Sequence, residues 1–190
     1  MARRVKQLTT EDWERAALQA ISEGGLAAVA VEPLARRLGV TKGSFYAHFH
    51  DRDELVLAAL GRWEQIHIDS FTAVVDAHQD PAERLKALIE LATSAVRGRT
   101  IISKLLPAGE DPRVSAALRR ISQFRIAHLE SILRELGVPR VTAAHRATIA
   151  YAAYIGLLQL AQEVPERLAS ERTLVRELLD LLIDPQITHE

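Results

Sequence analysis

The chain has 190 residues, 48% of them hydrophobic and 26% charged, with a formal net charge of −1. That profile excludes a disordered chain, because so much apolar surface offsets the entropy of ordering. The absence of cysteine excludes a disulfide framework, a thiolate nucleophile and a Cys-ligated zinc site.

Residues 1–14 lack the apolar run of a signal peptide. The longest uncharged run, 147–162, is too short and too polar to span a membrane. A cytoplasmic protein without a membrane segment is expected. Alanine (29 residues) and leucine (26) dominate the composition, and both are strong helix formers.

Helix signals follow one another along the chain. Thr9-Thr10-Glu11-Asp12 predicts an N-cap with acids in the first turn, and Gly24-Gly25 stops that helix. A short helix is predicted over Val31–Leu38, with Pro33 tolerated in its first turn. Gly39-Val40 makes a tight turn into a second short helix, from Thr41 to about Phe49. Asp51 to Glu54 has capping-box spacing and opens a long helix to about Ala77. Asp80-Pro81-Ala82-Glu83 starts another, ending near Gly98. A short helix over Ile101–Leu106 precedes one from Asp111-Pro112 to Leu136, with Gly137 beyond its end. The last two run from about Val141 to Glu163 and from Ser170 to about Ile183. The expected fold is all-α, about nine helices without a strand.

The sharpest pattern lies at residues 31–49. Leu34 and Leu38 share a face of the first short helix, and Ala35 between them is small enough for close helix crossing. Val40 plugs the turn, and Phe45 and Phe49 form the inward stripe of the second helix. This is helix-turn-helix patterning. At about 100° per residue, Gly43 and Ala47 fall opposite that stripe, Ser44 falls near them, and Tyr46 and His48 fall on the flanks. The outer face is therefore small and bare, with Thr41 and Lys42 at its start, suited to close approach to a major groove. Arg36, Arg37 and Lys42 lie in a stretch, 33–50, that holds no acid. A helical hairpin in a protein–protein interaction module is the alternative reading of the same pattern.

Residues 25–55 resemble the DNA-binding domain of the TetR (tetracycline-repressor-like) family of bacterial regulators. Leu34 to Phe49 carries the Gly-Val turn, the Thr-Lys-Gly start and the Tyr-x-His-Phe close, and Arg52-Asp53-Glu54-Leu55 follows. The resemblance implies a three-helix head at 7–67 (motif 30–49) and a ligand-binding and dimerisation bundle at 68–190. It implies a regulator that binds double-stranded operator DNA, with repression of a palindromic site relieved by a small, largely apolar effector. It also assigns roles: Thr41 and Lys42 open the recognition helix, Lys42 meeting either a phosphate or a guanine edge, Gly43 and Ser44 face the bases, and Tyr46, His48 and Arg52 stand at phosphates. Where the family usually has Thr or Ser before the first motif helix, this chain has Ala30.

The remaining residues offer candidates for an effector pocket: Phe71, Ser94, Phe124, His128, Tyr151 and Tyr154, aromatic or polar groups on helices with apolar faces. A homodimer is expected through the last two helices. Ala143, Ala147 and Ala150 would allow close approach, and Leu174, Leu178 and Leu182 would form a stripe. The seven histidines show no metal-ligand spacing, and no catalytic triad or phosphate-cradling loop is visible, so neither a metal, a cofactor nor an enzymatic activity is expected.

Overall fold

Thr9 begins the first helix as its N-cap. In the computed structural model, which describes residues 8–97, 100–164, 166 and 177, the Asp12 amide donates to the Thr9 hydroxyl. The Thr9 amide donates in return to the Asp12 carboxylate at 2.9 Å. This capping box satisfies two amides that a helix start leaves open. Held first by the Thr9 amide, then by the Thr9 hydroxyl and Arg15, the Asp12 carboxyl is lowered to about 2.

Helix α1 (Thr10–Gly24) ends at Gly25, and a 3₁₀ turn at Leu26–Ala28 leads to α2 (Val31–Leu38) and α3 (Lys42–Phe45). The long α4 (Arg52–Asp76), α5 (Pro81–Arg97) and α6 (Ile101–Leu105) follow. A second 3₁₀ turn at Leu106–Ala108 precedes α7 (Pro112–Glu135) and α8 (Arg140–Glu163). All regular structure among the described residues is helical. The ninth expected helix, with Leu174, Leu178 and Leu182, lies outside the described residues.

Two compact units divide the chain: residues 1–66 with 104–118, and residues 67–103 with 119–190. In the first, Trp13, Ile21, Leu34, Phe45, Leu55, Leu60 and Trp63 are almost wholly covered, as are Leu105, Val114 and Ala117 from the later segment. Trp13 meets the Phe45 ring edge-on at 5.3 Å, and Phe45 stacks on Phe49 at 5.7 Å. Burying a side chain of Phe size contributes about 1.5–3 kcal/mol, more than an exposed ion pair. Packing, not charge, therefore holds α3 in place.

In the second unit, Phe71, Leu85, Leu88, Ile89, Ile132, Leu133, Ala143 and Ala147 form one core. Asp80 accepts the Ala82 amide at the start of α5, as its start signal predicts. Arg84 near the start of α5 pairs with Glu135 at the end of α7.

Two expectations are corrected. The second motif helix is shorter than the predicted Thr41–Phe49. It ends at Phe45, and both the His48 and Phe49 amides donate to the Phe45 carbonyl, tightening residues 46–48 into a turn. Ala143 and Ala147 do not form an open seam. Both are fully buried in their own chain's core, where their small size lets α8 approach its neighbours, and Ala150 packs against that core too.

Candidate nucleic-acid interface

The turn between α2 and α3 is fixed by backbone hydrogen bonds. The Val40 amide donates to the Ala35 carbonyl and the Gly39 amide to the Arg36 carbonyl, a Schellman closure. Gly39 sits at φ 72°, which a side chain would strain. Phe45 then points inward, fully covered.

The opposite face is open. Thr41, Lys42, Gly43, Tyr46 and Ala47 are exposed, with Tyr46 57% accessible, while Ser44 and His48 are half-buried. A Cβ placed on Gly43 would meet nothing closer than the Thr41 hydroxyl at 3.7 Å. The head therefore has room for a side chain there, and any use of the bareness lies outside the chain.

The structure brings most of the expected DNA-contact residues to one face and treats Arg52 differently. Arg52 Nε donates to the Val29 carbonyl at 2.6 Å and an Nη donates to the Leu26 carbonyl at 3.0 Å. Its other Nη lies 3.4 Å from Asp53. Arg52 thus clamps the loop before α2 onto the start of α4, and only its remaining N–H groups are left for a phosphate. Ala30, the N-cap of α2, supplies no side-chain cap.

The start of α4 is capped one residue wider than a standard box. Asp51 accepts the Glu54 amide at 2.9 Å, and Glu54 accepts the His50 amide at 2.6 Å. The Asp51 carboxyl is lowered first by that Glu54 amide.

Two acids outside the basic stretch reach into it. Glu32, in the first turn of α2, lies 3.0 Å from Lys42 Nζ, and Glu23, at the end of α1, lies 2.6 Å from Arg37. The Glu32 hydrogen bond raises the Lys42 ammonium, and the Arg37 hydrogen bond lowers the Glu23 carboxyl. Sequence reading missed both acids. Glu32 is ten positions from Lys42, and only the fold of the turn closes that gap. A third missed network joins Arg113 at the start of α7 to Asp53 and Asp111. Arg113 holds the Asp111 carboxyl down to about 2.

Residues 15–59 match the family model described as bacterial regulatory proteins, tetR family. Among solved structures, a TetR-family transcriptional regulator from Streptomyces coelicolor superposes with a TM-score of 0.79 at 17% identity, over 92% of this chain and 89% of that one. A transcriptional regulator from Saccharomonospora viridis in complex with choline gives 0.77 at 18%, over 93% and 96%. FadR from Bacillus subtilis in complex with stearoyl-CoA gives 0.70 at 15%, over 93% and 98%. No curated protein matched the chain. The tetR-family match thus covers residues 15–59, and the chain as a whole has the fold of these regulators. Family and fold neighbours are transcriptional regulators, not enzymes.

In the second unit of this TetR fold, the pocket candidates fall into two groups. Phe71, Phe124 and His128 form an aromatic cluster, with ring centroids 5.4 Å (Phe71–Phe124) and 4.1 Å (Phe124–His128) apart. His128 Nδ1 donates to the Phe124 carbonyl at 2.8 Å. Tyr151 and Tyr154 lie 6.0 Å apart. The Ser122 hydroxyl donates to the Tyr151 oxygen at 3.0 Å, and the Arg125 guanidinium sits 5.2 Å over the Tyr154 ring. Burial pushes the Tyr151 phenol up. Ser94 joins neither group: it is exposed, and its hydroxyl donates to the Leu91 carbonyl of its own helix. Among the described residues, no group of three His, Cys, Asp or Glu is placed to hold a metal ion, and no helix is long and apolar enough to cross a membrane.

Proposed function

We propose that this chain is a cytoplasmic, sequence-specific DNA-binding repressor. It acts as a homodimer on a palindromic operator and is released by a small, largely apolar effector. Residues 7–67 form the reading head, with 104–118 packed in the same compact unit, and the rest of 68–190 binds effector and partner. The observation that carries this reading is the bare outer face of α3. A fully buried Phe45 anchors it, nothing in the chain fills the space over Gly43, and Thr41, Lys42, Ser44, Tyr46 and His48 surround that space. A face so small admits a groove edge to hydrogen-bonding distance.

Two of the fold neighbours were solved with small molecules, stearoyl-CoA and choline, which supports an effector role for the second unit. Phe71, Phe124, His128, Tyr151 and Tyr154 are its candidate contacts. Helix α4 contributes residues to both units and is the candidate connector. An effector shifts DNA affinity only by binding two states of that connection unequally.

A gel-shift with duplex DNA from upstream of the gene tests the reading. The wild-type chain should retain it in preference to random duplex, and salt should weaken the complex. Gly43→Leu should keep the melting temperature and lose at least about tenfold in affinity, the scale of one lost base contact. Full affinity in that variant would remove the docking face.

A further inference from the structure

The stretch 33–50 holds three fixed cations and no acid in sequence, but the fold supplies two acids to it. Arg37 is held by Glu23 and Lys42 by Glu32, leaving Arg36 as the fixed cation of this patch without an ionic partner among the described residues. Both members of the Glu32–Lys42 pair are more than half exposed, at 67% and 52% of their side chains. Glu32 therefore stands in the open beside the proposed docking face. No buried environment requires it there.

We infer that Glu32 is a specificity-determining residue of the reading head, restraining Lys42 from indiscriminate phosphate contact. This rests on the DNA reading above. A lysine gains affinity for any duplex by releasing a counterion from the phosphate backbone. A lysine paired at 3.0 Å with a carboxylate brings almost no net charge to that backbone, so the gain is cancelled. A guanine edge presents two acceptors at fixed positions and competes with the carboxylate by geometry. An exposed pair is weak enough to exchange for such a partner. Random DNA thus sees a nearly neutral pair, and a matching site sees a lysine.

Helix α2 offers a competing explanation. Its N-cap, Ala30, has no capping oxygen, and an acid in the first turn favours the helix dipole. If that were all Glu32 does, its removal would lower stability and leave DNA selectivity alone.

The experiment compares wild type, Glu32→Gln and Glu32→Ala on the upstream duplex and on random duplex of equal length, from 50 to 200 mM salt, with melting curves for each protein. Glu90→Gln, an exposed acid of α5 in the other unit, controls for net charge. Both Glu32 variants should bind random DNA about tenfold tighter at 50 mM salt and about threefold tighter at 200 mM, a log–log slope steeper by about one. Upstream-duplex affinity should rise less, so selectivity falls severalfold, and Glu90→Gln should match wild type. Wild-type slope and selectivity in both Glu32 variants would overturn the inference, as would an equal effect from Glu90→Gln. A wild-type chain that retains no duplex at all would overturn the DNA reading itself, and the inference with it.

Discussion

Arg52 shows how one side chain changes its meaning once its partners are known. Its place after the motif marks it as a phosphate ligand by resemblance, yet its guanidinium spans the carbonyls of Leu26 and Val29. Those partners lie 26 and 23 positions away, and carbonyls leave no mark in a sequence. By contrast, the N-cap at Thr9 and the turn at Gly39 were legible, because each acts within a few residues of itself. Arg52→Lys separates the two roles. Lysine keeps the charge and loses the fork, so a phosphate ligand would survive the change. The clamp predicts a loss of about 1–2 kcal/mol in stability, the scale of charge-assisted hydrogen bonds at a part-exposed site, read from denaturant melting. Operator affinity should fall at an unchanged salt slope. Unaltered melting with unaltered affinity would show that the clamp carries nothing.

At the scale of elements, α8 is the case where sequence could not choose a direction. Small and apolar residues fall on every side of it, so periodicity does not single out an inner face. Smallness at Ala143 and Ala147 was visible, but whether it served a partner or the chain's own core was not. The structure turns both inward and leaves Val141, Ile149 and Leu160 on the outside, at 67%, 65% and 41% exposure. Helix α3 is the opposite case. The Phe45–Phe49 spacing correctly marked the core side, and the real helix stops at Phe45. The direction of packing was fixed by apolar spacing, while the end of the helix was set by two amides sharing one carbonyl. Ala143→Leu tests the inward placement. Three extra heavy atoms do not fit a fully covered site, and overpacking of this kind costs about 1–3 kcal/mol. The melting temperature should drop with sedimentation unchanged. A dissociated but equally stable protein would place Ala143 at a subunit seam instead.

For the whole molecule, the exposed apolar side chains of α8 are what a proposed homodimer has to bury. A two-fold interface is self-complementary, so one charge introduced on one copy meets itself across the axis. Ile149→Arg should therefore give a folded monomer in sedimentation. Its operator binding should weaken well beyond tenfold, because a single head reads only one half-site. A dimer that persists at micromolar concentration with full operator affinity would move the interface away from this face. The same expectation was only half legible at the start. Paired half-sites follow from the head's small reach, whereas the face that joins the copies depends on which side of α8 the core consumes.

The covered side chains of Leu105, Val114 and Ala117, and the Arg113 link to Asp53, belong to the same compact unit as the motif. That unit is therefore discontinuous along the chain. During synthesis, which proceeds from the N-terminus, the motif helices emerge early but their packing stays incomplete until residue 118 has left the ribosome. Grafting only residues 1–66 onto a foreign bundle would omit those apolar groups and leave Asp53 without Arg113. Moving this head onto another bundle would therefore have to carry residues 104–118 as a matching second segment.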